Sequence, residues 1–283
     1  MPIAPLDVPN VRYIRADSVT QVVIEKSPGV SHRIIDIWID NVPDRSYVDV
    51  IVGTKVVTRL PLKWNDCLFV AEPEGSFENK SILQFFADLF PGFAIEADED
   101  EDITLAFSTT MPSVHVLYLR GPRGIKKTEL GRSLSDNFVF ACPITHTATI
   151  NASANYSLDN ALVPTGFPNI ADGYVIPSGR QFVLKALAFG STSAGATTAT
   201  RLHVWDERLE LFTPETHAGL SVQAGRNVLV ADVTKMQIDV VKDYVIPAGR
   251  KLTLNIDATY DGTNALPAGS DALFLIGLWQ VVR

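Results

Sequence analysis

Three observations in this 283-residue chain predict an all-β protein of two tandem β-sandwich domains, with one short helix in the first. A heptapeptide recurs in front of alternating strands. Period-two hydrophobic alternation, broken by Gly, Pro, Asn and Asp, runs through most of the length. One stretch alone has helical spacing.

The heptapeptide is Tyr174-Val175-Ile176-Pro177-Ser178-Gly179-Arg180, and it returns 70 residues later as Tyr244-Val245-Ile246-Pro247-Ala248-Gly249-Arg250. After Arg180, Phe182, Leu184, Ala186 and Ala188 alternate with other residues, and after Arg250, Leu252, Leu254, Ile256 and Ala258 do so in the same phase. Period two behind a Pro-Gly turn reads as a half-buried strand entered through that turn. Ala224-Gly225-Arg226, followed by Val228 and Val230, is a weaker echo.

Residues 1–16 carry three prolines and no periodicity, which predicts an extended N-terminal arm. The first sandwich is expected over 17–120. There Ile35, Ile37 and Ile39 share one strand face, Asp36 and Asp40 take the other, and Trp38 lies between them. Tyr47–Val52, Gly53-Thr54 and Lys55–Leu60 read as a two-residue hairpin with Gly first, as a type II′ turn requires. Cys67–Val70, Phe93–Glu96, Ile103–Phe107 and Val114–Leu119 are further strands, the last of them central because it is apolar on both faces apart from His115. Near 79–90, Ile82, Leu83, Phe85, Phe86 and Leu89 fall at helical spacing, with Asn79 or Ser81 as cap and Pro91-Gly92 as stop. This helix is expected to lie across the sandwich as a lid.

Residues 121–137 mix glycine with Arg123, Lys126, Lys127 and Arg132, and read as a basic linker. The second sandwich is expected over 138–283, with strands at 138–141, 145–156, 174–176, 180–189, 199–206, 208–212, 227–233, 236–241, 250–259 and 271–282. The last, apolar on both faces, is either a central strand or buried against another subunit.

Composition narrows the function. With 24 Lys and Arg against 32 Asp and Glu the net charge is −8, the wrong sign for a general nucleic-acid binder. Cys67 and Cys142 are too few for a disulfide framework and read as two free thiols of a reducing compartment. The N-terminus has no basic region before an apolar core, so no signal peptide is expected. The longest apolar run, Ala272–Trp279, is too short to span a bilayer.

Few residues carry chemistry. Asp98, Asp100 and Asp102 have the alternate spacing that opens an EF-hand loop, which makes them Ca²⁺ candidates. Ile103 then stands where that loop needs Gly, and Thr109 where it needs the bidentate Glu, so a solvated hairpin tip is the competing reading. Gly121-Pro122-Arg123-Gly124-Ile125-Lys126-Lys127-Thr128 lacks the Gly that a phosphate loop places before its Lys-Thr pair. No two of the five histidines have metal-ligand spacing, and no nucleophile has an identifiable base, so no enzyme and no cofactor is expected. Trp205, in His203-Val204-Trp205-Asp206-Glu207-Arg208, has the most polar neighbours of the four tryptophans and is the candidate for a glycan or partner contact. Arg180 and Arg250 are expected to fix their hairpins, with Asp172 and Asp243 as partners.

The Tyr-Val-Ile-Pro-Ala-Gly-Arg element with its alternating strand resembles hairpins in β-sandwich domains of bacteriophage and other viral structural proteins. The tandem of two all-β domains with one lid-like helix resembles compact jelly-roll capsid proteins of tailless viruses. That resemblance implies a non-enzymatic virion component of a capsid, spike or tail, made in the host cytoplasm. Its partners would be copies of itself, a trimer being favoured, and other virion proteins. The alternative is a binding module for host-surface glycan; a hydrolase with a site assembled from distant strands ranks third.

Overall fold

The computed structural model describes residues 10–64, 67–68, 82–90, 92–122, 138–163, 167–191, 199–210, 221–223 and 244–282. The chain is predominantly β, with antiparallel sheets. It divides into two compact units, Met1–Lys63 with Phe69–Phe138, and Trp64–Leu68 with Val139–Arg283.

The first unit contains β1 (Asn10–Ile24), β2 (Val30–Asp40), β3 (Ser46–Val52), β4 (Lys55–Trp64), α1 (Ile82–Leu89), β6 (Glu96–Ala97) and β7 (Ile103–Pro122); the two-residue β5 (Cys67–Leu68) falls in the second. Val48–Val52 pair with the first part of β7 and Val30–Asp40 with its second part. β1 accompanies β7 along both parts: Leu105 pairs with Val22 and Val50, and Val116 with Ile14 and Ile37. The two strands expected at 103–107 and 114–119 are therefore one continuous strand, central as foreseen. Ser18, at φ 55, and a register shift between Val19 and Gln21 bend β1 where the partner of β7 changes.

The core is the aliphatic face of these strands. Ile37, Ile39, Val48, Val50, Leu60, Leu62, Ile103, Leu105, Val114 and Val116 are all fully buried. Each such side chain stabilises the fold by roughly 1.5–3 kcal/mol relative to exposure. The hairpin turn is as expected: Val52 pairs with Lys55, and Gly53 supplies the positive φ of 61.

Two expectations are corrected. Residues 10–16 are no free arm: Asn10–Ala16 pair with Arg120–Val114 as the first half of β1, and residues 1–9 lie outside the described set. Ile35 does not share the buried face of Ile37 and Ile39. A register shift between Ile34 and Asp36 turns Ile34 inward and leaves Ile35 39% exposed. Such a bulge adds one residue to one strand and re-aims the side chains around it.

The helix forms where its spacing predicts. Phe86 and Phe90, one turn apart, are buried and stacked at 6.0 Å, and Phe93 packs on Phe86 at 5.5 Å. Gly92, at φ 91, stops it, while the proposed caps at Asn79 and Ser81 are outside the described residues. Of the strand expected at 93–96, only Glu96 is in strand, within β6.

His32 is buried beside Tyr118, and its Nδ1 has no hydrogen-bond partner. Burial pushes its pKa down from the ordinary 6.5, and the nearby Arg120 pushes the same way, against a weaker pull from Asp102. The unfolded chain thus binds a proton that the folded one refuses. Stability from this group is complete above about pH 6.5 and is lost as pH falls through the lower folded value. Between pH 7.5 and 5.5 the urea midpoint of the wild-type chain is expected to fall, and that of H32F to fall less; parallel declines would remove His32 from the account.

The second unit contains β8 (Phe138–Thr145), β9 (Ala154–Ser157), β10 (Asn160–Ala161), β11 (Arg180–Ser191), β12 (Ala199–Asp206), β13 (Leu209–Glu210), β14 (Ser221–Gln223), β15 (Tyr244–Ile246), β16 (Leu252–Thr259) and β17 (Asp271–Val281). One sheet runs β10-β8-β17-β11-β15 and another β13-β12-β16-β9, with β14 also on β12. β17 lies between β8 and β11, and Asp271–Trp279 are buried on both faces, so the central-strand alternative holds. The strand expected over 145–156 is interrupted after Thr145. His146 donates from Nδ1 to the Ala148 carbonyl at 2.7 Å and accepts from the Asp271 amide at Nε2, which turns the chain before β9. Residues 123–137, the echo at 224–226 and the strands expected at 227–233 and 236–241 are outside the described set.

The two heptapeptides occupy matching environments. Arg180 N–H donates to Pro177 O and Arg250 N–H to Pro247 O, and each turn carries a positive-φ glycine, Gly179 and Gly249. This is the residue-three glycine of a type II turn. Val175 and Val245 are exposed, while Ile176 and Ile246 are buried. The copies also pair reciprocally: Val175 bridges Lys251 beyond the second turn, and Tyr244–Ile246 pair with Leu184–Phe182 beyond the first.

Candidate functional site

The most developed polar constellation lies on the outer face of the first unit's sheet. Strand alternation puts Tyr13, Arg15 and Asp17 of β1 on one face, and register aligns them with Leu117, His115 and Ser113 of β7. Asp36, Trp38 and Asp40 of β2 complete the face on the other side of β7. The rings of Tyr13, His115 and Trp38 lie nearly parallel, with Trp38 and His115 centroids 5.3 Å apart.

The hydrogen bonds assign each proton. Tyr13 donates its hydroxyl to His115 Nδ1 at 2.6 Å. His115 Nε2–H then faces Ser113 Oγ and Asp40 Oδ2, both at 3.2 Å. Ser113 in turn donates to Asp17 Oδ1 at 2.7 Å, and Arg15 Nε adds a bond to the same oxygen. The Ser113 and Arg15 bonds hold the Asp17 carboxyl below its usual pKa range.

Ser, His and Asp are thus brought together, but in the wrong sense for nucleophilic catalysis. A serine nucleophile must give its proton to the lone pair of the base. Here that lone pair, on Nδ1, is taken by Tyr13, and the serine proton is directed at Asp17. The set links the first half of β1 to β7 and β2. Sequence reading missed it because its contacts cross 75 to 102 residues. The alternation of Tyr13, Ile14, Arg15, Ala16 and Asp17 was the available signal.

β1 itself has an unusual exposure. Among the described residues it pairs with β7 alone, which leaves its other edge free over a 15-residue strand. Val11 is 57% exposed, Tyr13 53% and Val23 38%.

The residues singled out from sequence are placed as follows. Asp98, Asp100 and Asp102 do not converge. Asp102 accepts from the Lys26 amide and Glu99 from the Gly29 amide, so the acidic run braces the turn after β1. No group of three or more His, Cys, Asp or Glu among the described residues is placed to hold a metal ion.

Trp205 is half-buried on β12, and one face of its ring is covered by His203 at 5.0 Å and 7°. Arg250 pairs with Glu207 at 3.0 Å, while Asp172 accepts from the Leu254 amide. Asp243 is outside the described residues. No helix among the described residues is long and apolar enough to cross a membrane.

Compared with protein-family models, with curated proteins and with solved structures, the chain matches none.

Proposed function

We propose that this protein is a non-enzymatic structural subunit that assembles with copies of itself, as a component of a virion. The observation that carries self-association is the edge of β1 on which no other described strand pairs. Sheet edges are templates for further pairing, and proteins blunt them by keeping edge strands very short. The other described outer strands, β5, β6, β9, β10, β13, β14 and β15, obey this with two to four residues each. β1 breaks the rule at 15 residues with three exposed apolar side chains. The clasp of Tyr13, His115 and Asp17 holds it ready for pairing.

The strand order supports a jelly-roll sandwich for the second unit. In β8-β17-β11-β15 the first long strand lies beside the last, and in β9-β16-β12-β14 the next lies beside the next to last. That nesting is the arrangement of the two Greek keys of a jelly roll, a fold used by capsid proteins. Fold analogy alone assigns no function; the edge gives the assembly reading its physical basis.

The test is V11K/V23K. Both side chains are exposed, so the monomer should keep its circular dichroism spectrum, while lysines on the edge oppose pairing. Light scattering after size exclusion should show a smaller particle than the wild type. An unchanged assembly would remove β1 from the interface.

A further inference from the structure

A cavity of about 340 Å³ lies beneath α1 in the first unit. It is roughly twice the size of an engineered apolar cavity that takes up benzene. Its walls come from four segments: Ile34 and Ile35 of β2, Leu83 and Ala87 of α1, Phe93 to Ile95 before β6, and Leu119 of β7. The β2 bulge is what makes it a pocket with an apolar floor. Without the register shift Ile35 would not turn out of the sheet; with it, Ile35 lines the cavity and stays partly open to water. Bulges that re-aim a side chain are over-represented beside functional sites.

The polar groups of the lining are Arg33 and Gln84. Arg33 is the sole charged residue among the described lining residues, and none there is acidic. Glu96, buried behind it, forms an ion pair with Arg33, its Oε1 lying 3.4 Å from Nη1. A guanidinium has five N–H donors in a planar fork, and one such contact leaves Nε and Nη2 for an anionic acceptor. Ligand sites of this kind combine an apolar body of 300 Å³ or more with few oriented polar groups.

We propose that this cavity binds an amphipathic anion: an apolar body, such as an acyl chain, against Ile34, Ile35, Leu83, Ala87 and Phe93, with a carboxylate or phosphate head on Arg33. The ligand is either a free carboxylate or the chain of a membrane lipid. The proposal is independent of self-assembly, because none of these residues lies on β1.

The test titrates the full chain with dodecanoate below its micellar concentration, by calorimetry. One site per chain is expected. A87F, which fills the cavity, and R33Q, which removes the charge-assisted bond, should each weaken binding about tenfold or more. Circular dichroism checks folding, and A94L replaces A87F if that variant misfolds. Flotation with phosphatidylglycerol vesicles separates the two sources: flotation lost in A87F assigns a membrane lipid, and dodecanoate binding without flotation assigns a free carboxylate. No saturable binding in either arm, or binding that A87F and R33Q leave intact, overturns the proposal.

Discussion

Replacing Gly277 with alanine is expected to destabilise the second unit by about 3 kcal/mol, the upper end for overpacking a core. Gly277 is in β17, opposite Leu184 and beside the register shift between Leu184 and Ala186. A Cβ there would lie 2.5 Å from the Val183 carbonyl oxygen and 2.5 Å from Cζ of Phe182. Phe182 is fully buried and cannot swing away without opening the core, and the carbonyl belongs to the adjacent strand. Strand propensity alone would favour alanine over glycine by roughly 0.5–1 kcal/mol, so the sign of the result separates contact from propensity. Gly249 provides the contrast. It has φ 83 and nothing within 4 Å of an added Cβ. G249A should cost only the left-handed backbone penalty, about 1–2 kcal/mol. Urea unfolding followed by tryptophan fluorescence gives both numbers. A G277A midpoint equal to that of the wild type would mean that β11 and β17 are not packed as described.

D49A is expected to cost the first unit about 3–5 kcal/mol, the range for breaking a buried ion pair. Asp49 and Arg59 are directly opposed on β3 and β4. Nε and Nη2 of Arg59 reach the two carboxylate oxygens at 2.6 and 2.7 Å, a bidentate fork. The guanidinium lies 3.7 Å over the ring of Tyr47, and Arg59 is buried. Removing the carboxylate takes the bidentate acceptor away from a desolvated cation. D49N keeps the shape and should lose most of the same energy. The paired apolar replacement D49L/R59M should recover much of it, because the two desolvation penalties vanish together. If D49A and D49L/R59M were equally unstable, packing rather than charge would be the cause.

How far the sequence could be read depended on the range of the contact. Local rules were reliable at Gly53, at the two Pro-x-Gly turns and at the spacing of Ile82, Leu83 and Phe86, where the deciding atoms are within a few residues. The apolar run of 272–279 could be seen as buried, and only the neighbours β8 and β11 could say why. Ile35 shows the limit more sharply. Its alternation with Ile37 and Ile39 is perfect in sequence, and the bulge that expels it is set by the register of β7, some 80 residues on. Arg250 likewise reaches Glu207, 43 residues away in the chain, which no local rule reports. The clasp on β1 is built from three segments and the cavity under α1 from four, which no periodicity reports.

The central claim is that the chain associates with itself. Absolute mass in solution, by light scattering after size exclusion of the wild-type chain, tests it most directly. The account predicts a discrete multiple of 30.9 kDa that persists on dilution. A single species of 30.9 kDa at every concentration would contradict it.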